Sequence, residues 1–188
     1  KKVSFKFVKL KKNQGKGGAL KLAIKKAKYN WILTSDIDMS VSLFQLTDWL
    51  KNKMIKNDAL VYFGSRTHKK SIVKKNFLRN ILGNIMRFIV SKTLSIKIRD
   101  TQCGFKCFTK EASEKLSKIQ TIKGFGFDVE ILFVARRLGL KISEIPIDWY
   151  YNSESKVRPF RDSIRSIVDL LIIKWNDIRG KYLPANID

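Results

Sequence analysis

The sequence has few of the residues that build metal clusters, disulfide frameworks or histidine-based catalytic sites. It contains two cysteines and one histidine among 188 residues. Cys103 and Cys107 lack zinc-site spacing and cannot form a disulfide framework, so we expect reduced thiols packed in a cytosol-facing domain. His68 is expected on a surface loop rather than as a metal ligand or a base.

Long apolar runs are also missing. No stretch is long enough to cross a bilayer, and no signal peptide is recognisable. The chain opens on Lys1 rather than Met, directly into the alternating segment Val3, Phe5 and Phe7, which predicts a half-buried strand. We interpret this opening as that of a fragment, or of a gene prediction that lacks its start.

Acidic residues are scarce. The sequence has 16 Asp and Glu against 39 Lys and Arg, a formal net charge of +23. Such a surface attracts polyanions, either nucleic acid or an anionic membrane face. A compositional bias of the genome toward Lys, Ile and Asn is an equally simple cause. Charge alone therefore leaves a nucleic-acid-binding domain as a competing hypothesis.

The most informative stretch is WILTSDID, residues 31–38. Its apolar start predicts a buried strand, and Asp36 and Asp38 follow at once. Residues two apart in an extended chain point to the same side, so the two carboxylates would lie together at a strand end, where open α/β sheets bind ligands. Two hard oxygen ligands suit Mg²⁺ or Mn²⁺ carrying a phosphate. A solvated acidic turn is the alternative.

The order of the predicted elements indicates an α/β fold. A glycine-rich turn at residues 13–18 offers bare amides and Lys16 before a helix, an arrangement that favours anions. Strands are predicted at 60–63 and 142–149, and helices at 43–50 and 127–138. Strands alternating with helices imply a mostly parallel sheet with right-handed crossovers.

Two further helices combine large apolar residues with basic ones. Within residues 73–98 and within 164–178, the apolar residues recur at helical spacing and basic residues are interleaved with them. A helix of this type lies on a membrane surface or packs on the domain with a basic outer face, and both interpretations stay open. Neither helix is expected to cross a bilayer.

A set of motifs occurs in one order with sensible gaps: NQGKGGAL, TSDID, FGSR, DTQCGFKCFTKEA, FGFDVEIL and EIPIDWYYNSESKVRP. This order resembles the inverting GT-A glycosyltransferases that act on polyprenyl phosphates, closest to the dolichyl-phosphate β-glucosyltransferases, with the mannosyltransferases next. The resemblance implies a GT-A, Rossmann-like sandwich, with a mostly parallel central sheet flanked by helices. It implies one catalytic domain over residues 1–180, including both amphipathic helices, and a tail at 181–188.

The resemblance also implies roles on the donor side. Asp36 and Asp38 match the D-x-D that binds the divalent metal, Mg²⁺ or Mn²⁺, and through it the donor diphosphate. Lys16 matches a turn near the donor. A basic loop that closes over the diphosphate matches three residues: Ser155, Lys156 and Arg158.

On the acceptor side, Arg66 and Arg79 match arginines that grip the lipid phosphate, and Gln102 falls beside that pocket. Asp128 and Glu130 match an acidic pair behind the site and are the catalytic candidates. Two residues apart in a helix, they cannot share a face, so we expect only one to point inward. Glu130 is alternatively a charge favouring the helix dipole.

The implied reaction transfers a hexose, glucose from UDP-glucose in the first instance, to dolichyl or another polyprenyl phosphate at a membrane surface. GDP-mannose is the alternative donor, and no nucleic-acid partner is expected. The active site would face the cytosol, at the endoplasmic reticulum in a eukaryote or the cytoplasmic membrane in a prokaryote. The family's first strand–helix unit, with its nucleoside-binding turn, is missing here. A membrane-associated remnant without donor binding is therefore a further alternative.

Overall fold

The computed structural model describes residues 5–56, 58–74, 77–95, 98, 100–150 and 159–183. These residues contain both helices and strands. In chain order the elements are α1 (Gly15–Lys26), β1 (Trp31–Thr34), α2 (Phe44–Lys51), β2 (Val61–Ser65), β3 (Ile72–Lys74), α3 (Phe77–Leu94), β4 (Lys106–Thr109), α4 (Lys110–Ile119), α5 (Phe127–Arg137), β5 (Ile142–Pro146), β6 (Asp148–Tyr150) and α6 (Pro159–Ile178).

The main sheet has the strand order β1-β4-β2-β5. Strand β4 is antiparallel to both β1 and β2, and β2 is parallel to β5, so β1, β2 and β5 all run in one direction. The α/β prediction with a mostly parallel sheet is confirmed, but the reversed β4 was not foreseen. Because β4 runs backwards, the loop that precedes it lies at the edge where β1 and β2 end. That edge carries the site.

The sheet separates two apolar cores. Side chains alternate along β2, so Val61 and Phe63 join the core under α3 to α6, whereas Tyr62 joins a smaller core with Trp49 of α2. Every residue of β2 is buried, as expected for a central strand covered on both faces. The sheet is therefore a rigid middle layer between two sets of helices.

Two predicted strands differ in the structure. Residues 5–10 form no strand, and Phe5 and Phe7 are each 91% exposed, because no described strand offers them a ladder. The strand predicted at 142–149 divides into β5 and β6. Pro146 has no N–H for the ladder, so the pairing with β2 stops there and β6 pairs with β3 in a separate two-stranded sheet.

Several predicted boundaries also move. The helix predicted from residue 73 begins at Phe77, because the β-branched Ile72 and Val73 pair with β6 instead. Tyr182, which lies in the tail predicted at 181–188, is 1% exposed and belongs to the main core. Of the basic loop, residues 151–158 lie outside the described part of the chain.

Candidate active site

Asp36 and Asp38 follow β1 directly, as the sequence predicts. Asp36 lies against Gly104, where an added Cβ would come within 2.3 Å of the Asp36 carboxylate. The hydroxyl of Thr34 donates to the Gly104 carbonyl at 3.0 Å and ties the two loops together. Asp38 accepts a hydrogen bond from the backbone N–H of Ser40 at 3.0 Å. Local backbone contacts therefore fix where both carboxylates lie.

Lys16 connects Asp36 to the helix behind it. Its ammonium lies 2.7 Å from Asp36 Oδ1 and 3.2 Å from Asp128 Oδ2. Burial by itself would lower the pKa of Lys16, but the charges of Asp128 and Asp36 outweigh it and raise the pKa above its ordinary value. Lys16 is therefore a firmly charged bridge between two carboxylates.

The amides around Lys16 are not bare, contrary to the sequence-based expectation. Helix α1 already begins at Gly15, and the N–H groups of Gly17 and Gly18 donate to the Lys123 carbonyl at 2.8 and 3.3 Å. A Cβ on Gly17 would lie 2.6 Å from the Ile122 carbonyl. These two glycines allow close backbone packing, so the group of this turn that reaches Asp36 is the Lys16 side chain.

A second lysine, which the sequence analysis did not select, lies beneath this bridge. Lys106, the first residue of β4, is 1% exposed and its ammonium forms an ion pair with Asp128 Oδ1. It also donates to the Cys103 carbonyl. The signal for it was present, because Lys106 shares a strand face with the buried Phe108 and a lysine facing a core needs a charged partner.

Arg66 follows β2 at the same edge of the sheet. Its Nε and Nη2 each donate to Asp100 at 2.7 Å, and its backbone N–H donates to Asp100 at 2.8 Å. Burial would raise the pKa of Asp100, but the Arg66 charge and hydrogen bonds lower it to about 2. Asp100 was not selected from the sequence, although it opens the DTQCGFK motif.

A small cleft joins one donor-side candidate to two acceptor-side candidates. Gln102, predicted beside the acceptor pocket, lines it together with Asp36 and Arg66. The remaining lining residues are Ser35, Ser40, Val41, Cys103, Gly104, Phe105 and Trp149. Burial raises the pKa of the Cys103 thiol to about 11, so this residue is a packing thiol, as the sequence predicts.

Neither Asp128 nor Glu130 lines this cleft, but Asp128 is linked to it through Lys16 and Asp36. Glu130 has no such link, which corrects the prediction that paired the two. It is fully buried and accepts hydrogen bonds from the Thr121 N–H and hydroxyl, the Ile122 N–H and the Tyr182 hydroxyl. Residues two apart on α5 point in different directions, so Asp128 reaches Lys16 while Glu130 holds the loop between α4 and α5. Its contacts are structural.

The structure leaves four candidates without a description. Arg79 lies on α3, but its side chain falls outside what the structure describes. The loop residues Ser155, Lys156 and Arg158 lie in the undescribed residues 151–158. Their predicted roles stay predictions.

The Asp36 carboxylate is of a type that suits a hard divalent cation bound together with a phosphate. Among the residues that the structure describes, no group of three or more His, Cys, Asp or Glu side chains could enclose a metal. Mg²⁺ typically uses one or two carboxylates and takes its other ligands from water and substrate phosphates. Asp36, whose side chain is 40% exposed and already faces the Lys16 ammonium, is oriented toward a positive charge.

An α/β sandwich with acidic residues at the edge where β1 and β2 end has the GT-A fold of the glycosyltransferases. Residues 1–117 match the family described as glycosyl transferase family 2, and the chain belongs to this family.

Its most similar relatives share a more particular description. The chain is 36% identical to the dolichyl-phosphate beta-glucosyltransferase of Dictyostelium discoideum, over 94% of this chain and 56% of the relative. It is 32% identical to the human protein of that description, over 92% of this chain and 55% of the relative, and 32% identical to the Saccharomyces cerevisiae one, over 95% and 57%. The chain spans about half the length of the curated relatives it matches.

Solved structures confirm the fold. Glucosyl-3-phosphoglycerate synthase from Mycobacterium tuberculosis superposes with a TM-score of 0.62 in its complex with phosphoglyceric acid, at 16% identity over 86% of this chain and 55% of the synthase. In a complex of that synthase with Mn²⁺, UDP-glucose and phosphoglyceric acid, the TM-score is 0.60 at the same identity and coverage. At this identity the likeness establishes the fold alone.

Proposed function

We propose that this protein transfers glucose from UDP-glucose to dolichyl phosphate with inversion at the anomeric carbon. The observation that carries the proposal is that Asp36, a donor-side acid, and Arg66, an acceptor-side cation, line the same cleft. The relatives named dolichyl-phosphate beta-glucosyltransferase support the choice of sugar and acceptor. A mannosyl transfer from GDP-mannose is the nearest alternative and uses the same groups.

The donor diphosphate would be held through Mg²⁺ or Mn²⁺ on Asp36 and Asp38. When bound, the cation offsets the charge that develops on the departing nucleoside diphosphate. Lys16 lies next to Asp36 and supplies a second positive charge on that side of the cleft. Ser155, Lys156 and Arg158 are proposed to close over the diphosphate. In this proposal the positive charge that holds the diphosphate comes partly from the metal ion on the two carboxylates and partly from basic side chains of the protein.

The acceptor phosphate would be held by Arg66, assisted by Arg79 and Gln102. A guanidinium has five N–H donors, and the side-chain bonds from Arg66 to Asp100 use two of its nitrogens. The remaining edge can still meet phosphate oxygens in the cleft. Asp100 thus holds the guanidinium plane in one orientation, which favours bidentate recognition.

We propose that the reaction requires no general base from the protein. A phosphate monoester has a second pKa of about 6, so the attacking oxygen is largely ionised at neutral pH. The chain then needs only to hold it in line with the anomeric carbon. Asp128 is 3% exposed, and each of its carboxylate oxygens is paired with a lysine ammonium group rather than directed at the acceptor.

Helices α3 and α6 pack together and support a membrane-facing role, as proposed for an enzyme with a lipid acceptor. Both expose large apolar side chains: Ile81, Ile85 and Phe88 on α3, and Ile164, Ile167, Val168, Leu171, Ile172, Trp175 and Ile178 on α6. Arg87, Lys92, Arg165 and Lys174 lie on the same helices. Each cation close to an anionic leaflet contributes about 1 kcal/mol.

None of the helices in the described residues is long and apolar enough to span a bilayer. We propose that the α3–α6 face, defined by the apolar residues above, lies on the cytosolic leaflet beside the lipid phosphate, at the endoplasmic reticulum if the source is eukaryotic.

The test is a transfer assay with the complete protein that the gene encodes. It is incubated with Mn²⁺ or Mg²⁺, a short-chain dolichyl phosphate, and radiolabelled UDP-glucose or GDP-mannose in parallel, and label is counted in the organic phase. Label from UDP-glucose that is lost in Asp38→Asn supports the proposal. The matched control is Asp48→Asn, the same change at an exposed position on α2, which should keep activity.

Two results would redirect the proposal. Label from GDP-mannose alone would keep the fold and chemistry and replace the donor. No label from either donor, in a protein that folds and binds Mn²⁺, would contradict it, and a salt titration of DNA binding would then test the interpretation based on charge.

A further inference from the structure

Four charged side chains form a continuous chain of alternating sign across the site. In order they are Lys106, Asp128, Lys16 and Asp36. Exposure rises along the chain, from a side chain that is 1% exposed at Lys106 to one that is 40% exposed at Asp36. The two ends therefore differ, because one is locked in the core and the other can exchange its partner.

The inner pair is a fixed anchor. A buried ammonium without a counter-ion is strongly unfavourable, so burial favours the Lys106–Asp128 ion pair. Lys106 binds one oxygen of Asp128, and the other oxygen faces Lys16. One carboxylate thus serves two lysines, and only one of them, Lys16, reaches the cleft side of α5.

The outer pair can be exchanged. Lys16 Nζ lies nearer to Asp36, at 2.7 Å, than to Asp128, at 3.2 Å. A divalent cation on Asp36 carries twice the charge of the ammonium and requires the same carboxylate oxygens. Metal and Lys16 therefore compete for Asp36, whereas no competitor for Asp128 enters from the cleft, where its side chain is 4% exposed.

We propose that Lys16 is a displaceable counter-ion of Asp36, tethered by the buried Asp128–Lys106 pair. When a divalent cation binds Asp36, Lys16 releases that carboxylate but stays bound to Asp128, so its ammonium remains beside the donor diphosphate. Asp128 and Lys106 are then positioning residues that act through Lys16. The part that concerns the diphosphate rests on the proposed function, and the competition with metal does not.

This arrangement predicts effects of opposite sign from one substitution. In Lys16→Met, Mn²⁺ alone should bind about two- to fivefold more tightly, the range expected when a partly exposed ion pair no longer competes. Binding of UDP in the presence of saturating Mn²⁺ should weaken by about tenfold or more, because a charged hydrogen bond to the diphosphate is lost. Calorimetric titration of the complete protein measures both without any transfer reaction.

A matched control separates this effect from net charge. Lys25→Met removes one positive charge from the exposed side of the same helix without contacting Asp36, and should leave both titrations within twofold. If Lys16→Met weakens Mn²⁺ binding, or changes it no more than Lys25→Met does, the proposed competition is wrong. Asp38→Asn in each background should abolish Mn²⁺ binding and so identify the site that is titrated.

The anchor is tested by removing its two charges together. Lys106→Met should destabilise the fold, whereas Lys106→Met with Asp128→Leu should recover much of the melting temperature, since apolar pairs replace buried ion pairs well. UDP affinity should remain about tenfold weak in the double variant, because Lys16 has lost its tether. Asp128→Asn, which retains the shape of the side chain, should show the same UDP defect if the double variant folds poorly.

A double variant that is stable and binds UDP like the wild type would show that the pair is only structural, and would overturn the tether. UDP and GDP are both titrated, so a different donor base does not obscure the result. Lys16→Met could strengthen Mn²⁺ binding and weaken UDP binding while no glucose is transferred to dolichyl phosphate. In that case the proposed function is wrong, and the competition between Lys16 and the metal for Asp36 is still supported.

Discussion

Asp100 and Arg66 form a bidentate ion pair with two side-chain hydrogen bonds of 2.7 Å at the carboxyl end of β2. The Asp100 side chain is 1% exposed and that of Arg66 is 22% exposed. The pair joins the FGSR and DTQCGFK motifs, and it fixes one wall of the cleft. Its strength can be tested by substitution and by pH.

Replacing Asp100 by Asn should lower the free energy of unfolding by about 3 kcal/mol, since the buried Arg66 guanidinium would lose its counter-charge. Urea denaturation followed by circular dichroism measures the change. Asp48→Asn on the exposed face of α2 should stay within about 0.5 kcal/mol of the wild type. Equal effects of the two substitutions would contradict a stabilising role for the pair.

The same pair predicts an acid-sensitive step. The pKa of Asp100 falls from 3.8 to about 2 on folding, so the folded state favours the ionised carboxylate. Its contribution is complete above the unfolded pKa and is lost as the pH falls through the window from 3.8 to about 2. The free energy of unfolding, measured across that window, should decline less steeply in Asp100→Asn than in the wild type. If the two proteins show the same pH dependence, its attribution to Asp100 is wrong.

Gly104 is predicted to be essential for the position of Asp36. A Cβ at residue 104 would lie 2.3 Å from Asp36 Oδ2, so Gly104→Ala must push the carboxylate away and should weaken Mn²⁺ binding by about tenfold or more. Gly83→Ala is the control, because its Cβ would meet nothing closer than 3.8 Å and alanine favours the helix. Both variants are titrated with Mn²⁺. An unchanged Mn²⁺ affinity in Gly104→Ala would contradict the predicted role of Gly104.

Glu130 is predicted to support stability and not chemistry. Its carboxylate accepts four hydrogen bonds. In Glu130→Gln the side-chain NH₂ group would face N–H or O–H donors that it cannot accept from, and the free energy of unfolding should fall by about 2 kcal/mol. Tyr182→Phe removes one of the four and should cost about 1 kcal/mol. Transfer activity per folded molecule should survive in both variants. A chemical defect confined to Glu130→Gln would restore it as a catalytic candidate.

The apolar face of α6 is predicted to bind membranes. Leu171 is 61% exposed, so Leu171→Glu should leave the fold stable while reducing sedimentation with vesicles of anionic phospholipid by about tenfold. Leu50→Glu is a close match on α2, at 58% exposed, and should not affect vesicle binding. If both variants bind vesicles equally well, the α3–α6 face is not the contact.

Sequence patterns within a few residues were sufficient for several of the elements and for part of the candidate site. The apolar run before Asp36 and Asp38 predicts a strand and its end, and the structure has Thr34 as the last residue of β1. The helix predicted at 127–138 is α5, which ends at Arg137, with Gly139 just beyond it at a φ of 67°. These features depend on local periodicity and local backbone conformation, which neighbouring residues determine.

The sequence by itself therefore determined the α/β class, the position of the acidic pair and the family resemblance. The tertiary structure alone decided the partners of the charges. Lys16 and Asp128 are 112 residues apart, and Arg66 and Asp100 are 34 apart. The reversed β4 brings the loop at 100–105 to the edge where β1 and β2 end, and it buries Lys106 against Asp128. Strand direction and long-range ion pairing depend on how the whole sheet assembles, and local sequence patterns do not predict that assembly.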